Sequence, residues 1–215
     1  MPAVTDKIKM NLVTELNPNS LITEAYRTLR MKIQYSTSSE PMKTVLLTSV
    51  TSKDEKSKTI ANLAVIYARE GKKVLVIDAD LRTPMLHHTF TSNGFGLADI
   101  LLGQSPLSNA ISETQIANLF FIPAGHATVS PSELLSSVQM QELLSQVKEE
   151  FDIVLIDSPP VLAVTDAQIM AAISDGVVLI VNQGKVKREV AKKALAQLNY
   201  VKAVVLGAVL VNTSK

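Results

Sequence analysis

Cysteine and tryptophan are both absent from this sequence of 215 residues. Without cysteine there can be no disulfides and no thiolate metal sites, a composition in keeping with a reducing cytoplasm. Aromatic residues make up only 4% of the chain. Ile, Leu, Val and Ala must therefore build the core, as in parallel sheets covered by helices. Charge of one sign is not in excess. A net charge of +1 gives no bulk attraction to nucleic acid or to a membrane surface, and no nucleic-acid partner is expected. No apolar run approaches the ~18 residues needed to span a bilayer. Met1 to Met10 has no apolar h-region, so no cleaved signal peptide is expected. Glycine is scarce too, and none lies between Val50 and Lys56.

What is present suits a single domain: 47% of residues are apolar, enough for a substantial core. Met1 to Ser20 is polar and reads as a partly ordered arm. Ser20 or Thr23 is placed to cap a helix running from Glu24 to about Ile33. A polar loop over 36–41 leads to the first apolar strand, Thr44 to Val50. A helix from Ser57 to Glu70 closes at Gly71. Strands follow at Lys73–Asp78, Leu119–Pro123, Ile153–Asp157, Gly176–Val181 and Val204–Val211. Between them the spacing predicts short helices at Leu97–Leu102 and Leu107–Ile111. Longer ones are predicted at Ser132–Glu149, Asp166–Ile173 and Lys187–Leu198. Strands alternating with helices imply βαβ units, a mostly parallel sheet and right-handed crossovers. The expected fold is α/β, doubly wound, with the mostly parallel sheet flanked by helices. Residues 1–40 would form an arm and a helix, and residues 41–215 one globular unit.

Three strand ends carry the chemistry. Lys56 and Ser57 open the helix after the first strand, where backbone amides attract anions. A lysine there reaches β- and γ-phosphates, and a serine hydroxyl can ligate magnesium. Taken alone, Lys56 could equally be a solvated lysine at a helix start, because the pattern G-x-x-x-x-G-K-[ST] requires glycine where Val50 and Glu55 stand. The second strand ends Val74-Leu75-Val76-Ile77-Asp78-Ala79-Asp80-Leu81-Arg82, with two acids able to converge on one metal ion or hydroxyl. The third ends in Asp157, followed by Ser158-Pro159-Pro160. Asp157 taken alone could be a turn residue, or the magnesium-orienting acid of a nucleotide hydrolase. In open α/β sheets, ligands bind at this carboxyl end of the strands. His87-His88 is too isolated for a zinc site and reads as surface. Lys185, Lys187 and Arg188 read as a solvated face, and the turn Gly94-Phe95-Gly96-Leu97 has no phosphate role.

At these residues the chain resembles the bacterial tyrosine kinases of capsule and exopolysaccharide operons, in their Gram-positive cytoplasmic form. The likeness runs from Ser20 onward. The family loop T-S-x-x-P-G-E-G-K-[ST]-T is matched in register by Thr48-Ser49 and Lys56-Ser57. Val74 to Arg82 matches the second acidic motif, and Ile156 to Ala167 the third. Pro131 to Leu135 matches a further segment. Glu24-Ala25-Tyr26-Arg27-Thr28-Leu29-Arg30 matches the E-x-x-R-x-x-R helix of ring assembly.

The resemblance implies a P-loop NTPase-like fold and a protein-tyrosine kinase that uses ATP and Mg2+. Ser49, Thr51, Lys56, Ser57, Lys58 and Arg82 would line the nucleotide. Ser57, Asp78, Asp80 and Asp157 would hold the metal. Lys56, Asp78, Asp80 and Asp157 would be the catalytic groups, and Glu24, Arg27 and Arg30 would mediate self-association, as far as an eight-subunit ring. It also implies a cytoplasmic protein recruited to the inner face of the membrane. A membrane polysaccharide co-polymerase, whose cytoplasmic tail activates it, would be the partner, and protein tyrosines the substrates. Two departures stand out. The only tyrosines are Tyr26, Tyr35, Tyr67 and Tyr200, with no cluster before Lys215. In the loop, Ser52, Lys53 and Glu55 replace the proline and both glycines, and Glu55 sets a carboxylate where phosphate should lie, unless Lys53 and Lys58 draw it outward. Like charges ~4 Å apart repel by about 4 kcal/mol at an effective dielectric of ~20, roughly a thousandfold in affinity. A ring-forming pseudokinase is therefore an alternative. A partitioning or septum-site ATPase is disfavoured because Thr51 stands where those proteins look for a second lysine.

Overall fold

The three apolar runs that lead to Lys56, to Asp78 and to Asp157 lie side by side in one sheet. A computed structural model describes residues 12–36, 42–52, 55–92 and 94–212. In chain order its elements are α1 (Val13–Leu16), α2 (Leu21–Gln34), β1 (Thr44–Ser49), α3 (Lys56–Arg69) and β2 (Val74–Asp78). Then come α4 (Leu97–Leu101), α5 (Leu107–Ala110), β3 (Ser112–Glu113), β4 (Leu119–Ile122), α6 (Pro131–Leu135) and α7 (Val138–Glu150). The chain continues through β5 (Ile153–Asp157), α8 (Asp166–Ile173), β6 (Gly176–Asn182), α9 (Arg188–Tyr200) and β7 (Val205–Val211). The seven strands are ordered β3-β4-β2-β5-β1-β6-β7. All neighbours run parallel except the β3–β4 pair. This is the doubly wound α/β arrangement expected.

Strand residues part alternately to two faces, as the two-residue side-chain period dictates. Val45, Leu47, Val76, Leu155 and Ile180 face one hydrophobic cluster, and Leu46, Leu75, Ile77, Ile156 and Leu179 the other. On the first face α3 buries Ile60, Leu63, Ala64 and Tyr67, with Tyr26 and Leu29 of α2 packed against that cluster. On the second face lie residues of α4, α6, α7, α8 and α9, among them Leu97, Leu135, Leu144, Met170 and Leu198. Every residue of β1, β2, β5 and β6 is buried, whereas β7 at the sheet edge is partly exposed.

Local chemistry explains most boundaries. Ser20 caps α2 by accepting the Thr23 amide at 3.1 Å, so the helix starts earlier than Glu24. Gly71, at φ 79°, ends α3 in the left-handed conformation that glycine adopts without strain. The expected single helix over Ser132–Glu149 is instead two. Ser137 leaves helical geometry and its Oγ accepts the Met140 amide at 3.3 Å, which starts α7 afresh. The two-residue strand β3 has too little pattern to be read from sequence. Gly96 is fixed by space: a Cβ there would lie 2.3 Å from the Gly125 nitrogen, where α4 begins against the end of β4. The polar arm lies outside the described residues up to Asn11; beyond it, Leu12 and Thr14 are buried, and Thr14 N donates to Asn62 Oδ1 at 3.0 Å. Of the polar loop, residues 37–41 lie outside the described residues. Among the described residues no helix is long and apolar enough to cross a membrane.

Candidate nucleotide site

The sheet order brings the acids together. β2 and β5 pair in register so that Asp78 stands beside Asp157. β1 lies on the other side of β5, and the chain leaving it turns into α3, delivering Lys56 to the same end. The Lys56 ammonium pairs with Asp157 Oδ1 and lies 3.9 Å from Asp80 Oδ2. Ser57 Oγ donates to Asp157 Oδ2 at 2.8 Å. Asp78 and Asp157 are fully buried, and Lys56 and Asp80 nearly so. Five groups named from sequence thus converge: Lys56, Ser57, Asp78, Asp80 and Asp157.

Each acid is oriented by backbone. Asp78 Oδ1 accepts the Asp80 amide at 3.2 Å and Oδ2 the Leu86 amide at 3.3 Å. Asp80 Oδ1 accepts the Thr83 amide at 3.0 Å and its hydroxyl at 3.2 Å, leaving Oδ2 turned to Lys56. One lysine cannot neutralise three carboxylates in a dry site. Burial first, then the neighbouring Asp157 charge, pushes the Asp78 carboxyl up to about 8, with Lys56 and the Leu86 amide opposing. Burial likewise raises Asp157 above the ordinary carboxylate range, against the pull of Lys56 and Ser57. At neutral pH the cluster therefore retains a proton.

The loop tells a subtler story than its composition. Glu55 sits at φ 45°, ψ 27°, the left-handed geometry that glycine would supply. The backbone before Lys56 thus keeps a glycine's shape with a side chain attached. That side chain is drawn aside, as Glu55 Oε2 lies 3.4 Å from Lys58 Nζ. Lys58 does what was expected of it; Lys53 lies outside the described residues. The Glu55 side chain does not cap α3. Ser49 Oγ donates to the Thr51 carbonyl at 2.8 Å, shaping the loop from within.

Two sets of named residues are engaged elsewhere. Arg82 makes a bidentate pair with Asp166 at the start of α8, Nε to Oδ2 at 2.8 Å and Nη2 to Oδ1 at 3.0 Å. Asp166 is fully buried and was not singled out from sequence; an acid in the first turn of a helix reads as ordinary dipole chemistry. On α2, Arg27 pairs with Glu24 and donates to the Pro18 carbonyl at 2.9 Å, while Arg30 pairs with Glu70 and reaches Gln34 at 2.7 Å. His87, His88, Lys185, Lys187 and Arg188 are exposed, as expected. Among the described residues, no three His, Cys, Asp or Glu side chains form a ready-made metal cage. The donors at the strand ends are hard oxygens, a hydroxyl and carboxylates. That set fits magnesium, which is bound by one or two carboxylates together with substrate phosphates.

Comparison with known proteins agrees with this fold. A family model described as an AAA domain matches residues 53–206. The tyrosine-protein kinase YwqD of Bacillus subtilis is 40% identical over 205 residues, covering 95% of this chain and 86% of that protein. The tyrosine-protein kinase CapB of Staphylococcus aureus, so named provisionally, is 37% identical over 194 residues, covering 90% and 85%. The crystal structure of the chimerical protein CapA2B2 superposes with a TM-score of 0.89 at 33% identity, covering 94% of this chain and 89% of that one. The chain belongs to the bacterial tyrosine-protein kinases.

Proposed function

We propose that this chain transfers the γ-phosphoryl group of ATP to tyrosine hydroxyls of proteins and so regulates polysaccharide synthesis and export. The observation that carries the reading is the convergence of Lys56, Ser57, Asp78, Asp80 and Asp157 at adjoining strand ends. Lys56 would leave its carboxylate partners for the β- and γ-phosphates, and the first-turn amides of α3 would face the same oxygens. Ser57, Asp80 and Asp157 would hold Mg2+, which when bound neutralises charge developing on the phosphates. Asp78 would take the proton of the attacking tyrosine once bound Mg2+ nearby has driven off its own, which burial otherwise retains. Ser49, Thr51 and Lys58 would border the phosphates. Arg82, tied to Asp166, would fix the end of the second acidic motif from behind rather than grip nucleotide.

Residues 1–40 would serve assembly and 41–215 catalysis. Glu24, Arg27 and Arg30 would exchange their present partners for those of a neighbouring subunit, closing a ring of up to eight. A membrane polysaccharide co-polymerase would recruit the protein to the inner membrane face and activate it. Calorimetry with magnesium-ATP tests the site. Binding should be weak in the chain as it stands and at least about tenfold tighter after Ser52→Pro, Lys53→Gly and Glu55→Gly, which remove the loop carboxylate and restore free backbone positions. The repaired protein should then phosphorylate a supplied tyrosine peptide. Restored binding without transfer would favour a pseudokinase. No binding after repair would remove the nucleotide reading altogether.

A further inference from the structure

The loop that leaves β2 supplies the amides that aim two of the acids. Within residues 80–86, the Asp80 and Leu86 amides donate to Asp78 at 3.2 and 3.3 Å. The Thr83 amide donates to Asp80 Oδ1 at 3.0 Å. Solvent reaches this loop, for Arg82, Thr83 and Met85 are exposed. Its far end is anchored by the buried side chain of Leu86. Its near end is anchored by Arg82, whose guanidinium grips both oxygens of the fully buried Asp166. A bidentate guanidinium–carboxylate pair fixes direction as well as distance, which a single contact does not.

Asp166 is a firm anchor for that grip. An acid serving only the dipole of α8 could stay in solvent. Asp166 is instead buried, and its two oxygens accept from a residue 84 positions away. The chain that carries it is pinned to β1 at its other end. Ser158 Oγ donates to the Leu47 carbonyl at 3.2 Å, and Thr48 Oγ1 to the Pro159 carbonyl at 2.9 Å. The Val161 amide donates to the Ser49 carbonyl at 3.0 Å. Residues 157–166 thus brace the end of β1 against the loop that leaves β2.

We propose that Asp166 is a positioning residue for the acids at the end of β2: through Arg82 it holds the loop whose amides orient Asp78 and Asp80. The inference rests on the nucleotide reading above and adds the start of α8 to the parts that govern it. Lys56 and the first turn of α3 stand on the β1 side of the site and do not depend on this loop. Asp166 should therefore govern what magnesium adds to nucleotide binding, through Asp80, and not the phosphate contacts themselves.

Asp166→Asn keeps the shape of the side chain and removes one acceptor of the pair. Arg82→Lys keeps the charge and removes the fork. Calorimetry on the loop-repaired full chain measures ATP affinity with magnesium and with EDTA in its place. Each variant should cut the affinity gained from magnesium about tenfold and leave binding in EDTA within about twofold. With Asp80→Asn already in place, Asp166→Asn should change magnesium-ATP affinity by less than about twofold. An equal loss with and without magnesium, an unchanged gain from magnesium, or an undiminished loss beside Asp80→Asn would overturn the proposal. If the repaired protein binds ATP under neither condition, the kinase reading fails, and hydrogen exchange in the unmodified chain decides the clamp. The Thr83 amide should exchange about tenfold faster in Asp166→Asn, while the Ala79 amide, bonded to the Asp157 carbonyl at 2.9 Å, is unchanged. Equal acceleration at both amides, or none at Thr83, refutes it.

Discussion

Replacing Asp78 with asparagine should stabilise this protein, and the more so the higher the pH. The side chain is fully buried beside Asp157, with Lys56 already committed to Asp157. Its carboxyl is pushed from 3.8 to about 8, chiefly by burial. The folded state thus holds a proton that the unfolded chain releases near pH 4. Stability contributed by that proton is complete below pH 4 and is lost progressively as pH rises to about 8. At about 1.4 kcal/mol for each pH unit, the full window would amount to about 6 kcal/mol. The proton is shared with Asp157, so about 2–4 kcal/mol is a sounder figure for the site. Asparagine avoids that loss, and its amide oxygen can still accept the Asp80 amide. Its NH2 would meet the Leu86 amide, now 3.3 Å from Oδ2, and forfeiting that bond costs about 1 kcal/mol. The balance is a stabilisation of about 1–3 kcal/mol near pH 8, shrinking to nothing or reversing near pH 5. Urea unfolding of both proteins across that range measures it, with no magnesium or nucleotide present. A destabilisation of the same size at both ends of the range would refute the assignment of a misplaced buried charge to Asp78. The same variant should lose phosphotransfer after loop repair, so stability and activity would move in opposite directions at one residue.

Lys56→Met should abolish measurable magnesium-ATP binding in the loop-repaired protein, and a retained affinity within about tenfold would show that the lysine does not reach phosphate. Arg82→Ala should destabilise by about 3 kcal/mol in thermal or urea unfolding, because Asp166 is left buried without its guanidinium; a change confined to nucleotide affinity would return Arg82 to the ligand. Arg27→Ala with Arg30→Ala should give a smaller species by light scattering than the parent. An unchanged mass in an oligomeric parent would count against α2 as the assembly helix, and the thermal midpoint should barely move, since both arginines sit in solvent-reached pairs worth about 0–1 kcal/mol each.

The strands and the acids at their ends were legible because a two-sided buried strand leaves an uninterrupted apolar run with a polar stop. Val74–Asp78 and Ile153–Asp157 are such runs, each ending in an acid at the carboxyl end of the sheet where ligands bind. What escaped was set by distance along the chain or by a local competitor. Asp166 is separated from Arg82 by the whole segment through β5, so no spacing rule couples them. The split at Ser137 arises because a serine hydroxyl competes for a backbone amide, a contest that helical periodicity does not register. At Glu55 the sequence argued for a ruined loop, whereas the backbone shape persists and Lys58 turns the carboxylate aside.

The position of β5 also bears on when the protein can act during its synthesis. β1 and β2 come first in the chain, yet they do not touch; β5 is inserted between them. Until residue 157 has left the ribosome, the early half of the sheet has a gap where its central strand belongs, and Lys56 has no Asp157 to meet. An emerging chain would therefore lack a competent site through most of its translation, and the first moment at which the site can form is also the moment at which the two halves of the sheet become one body.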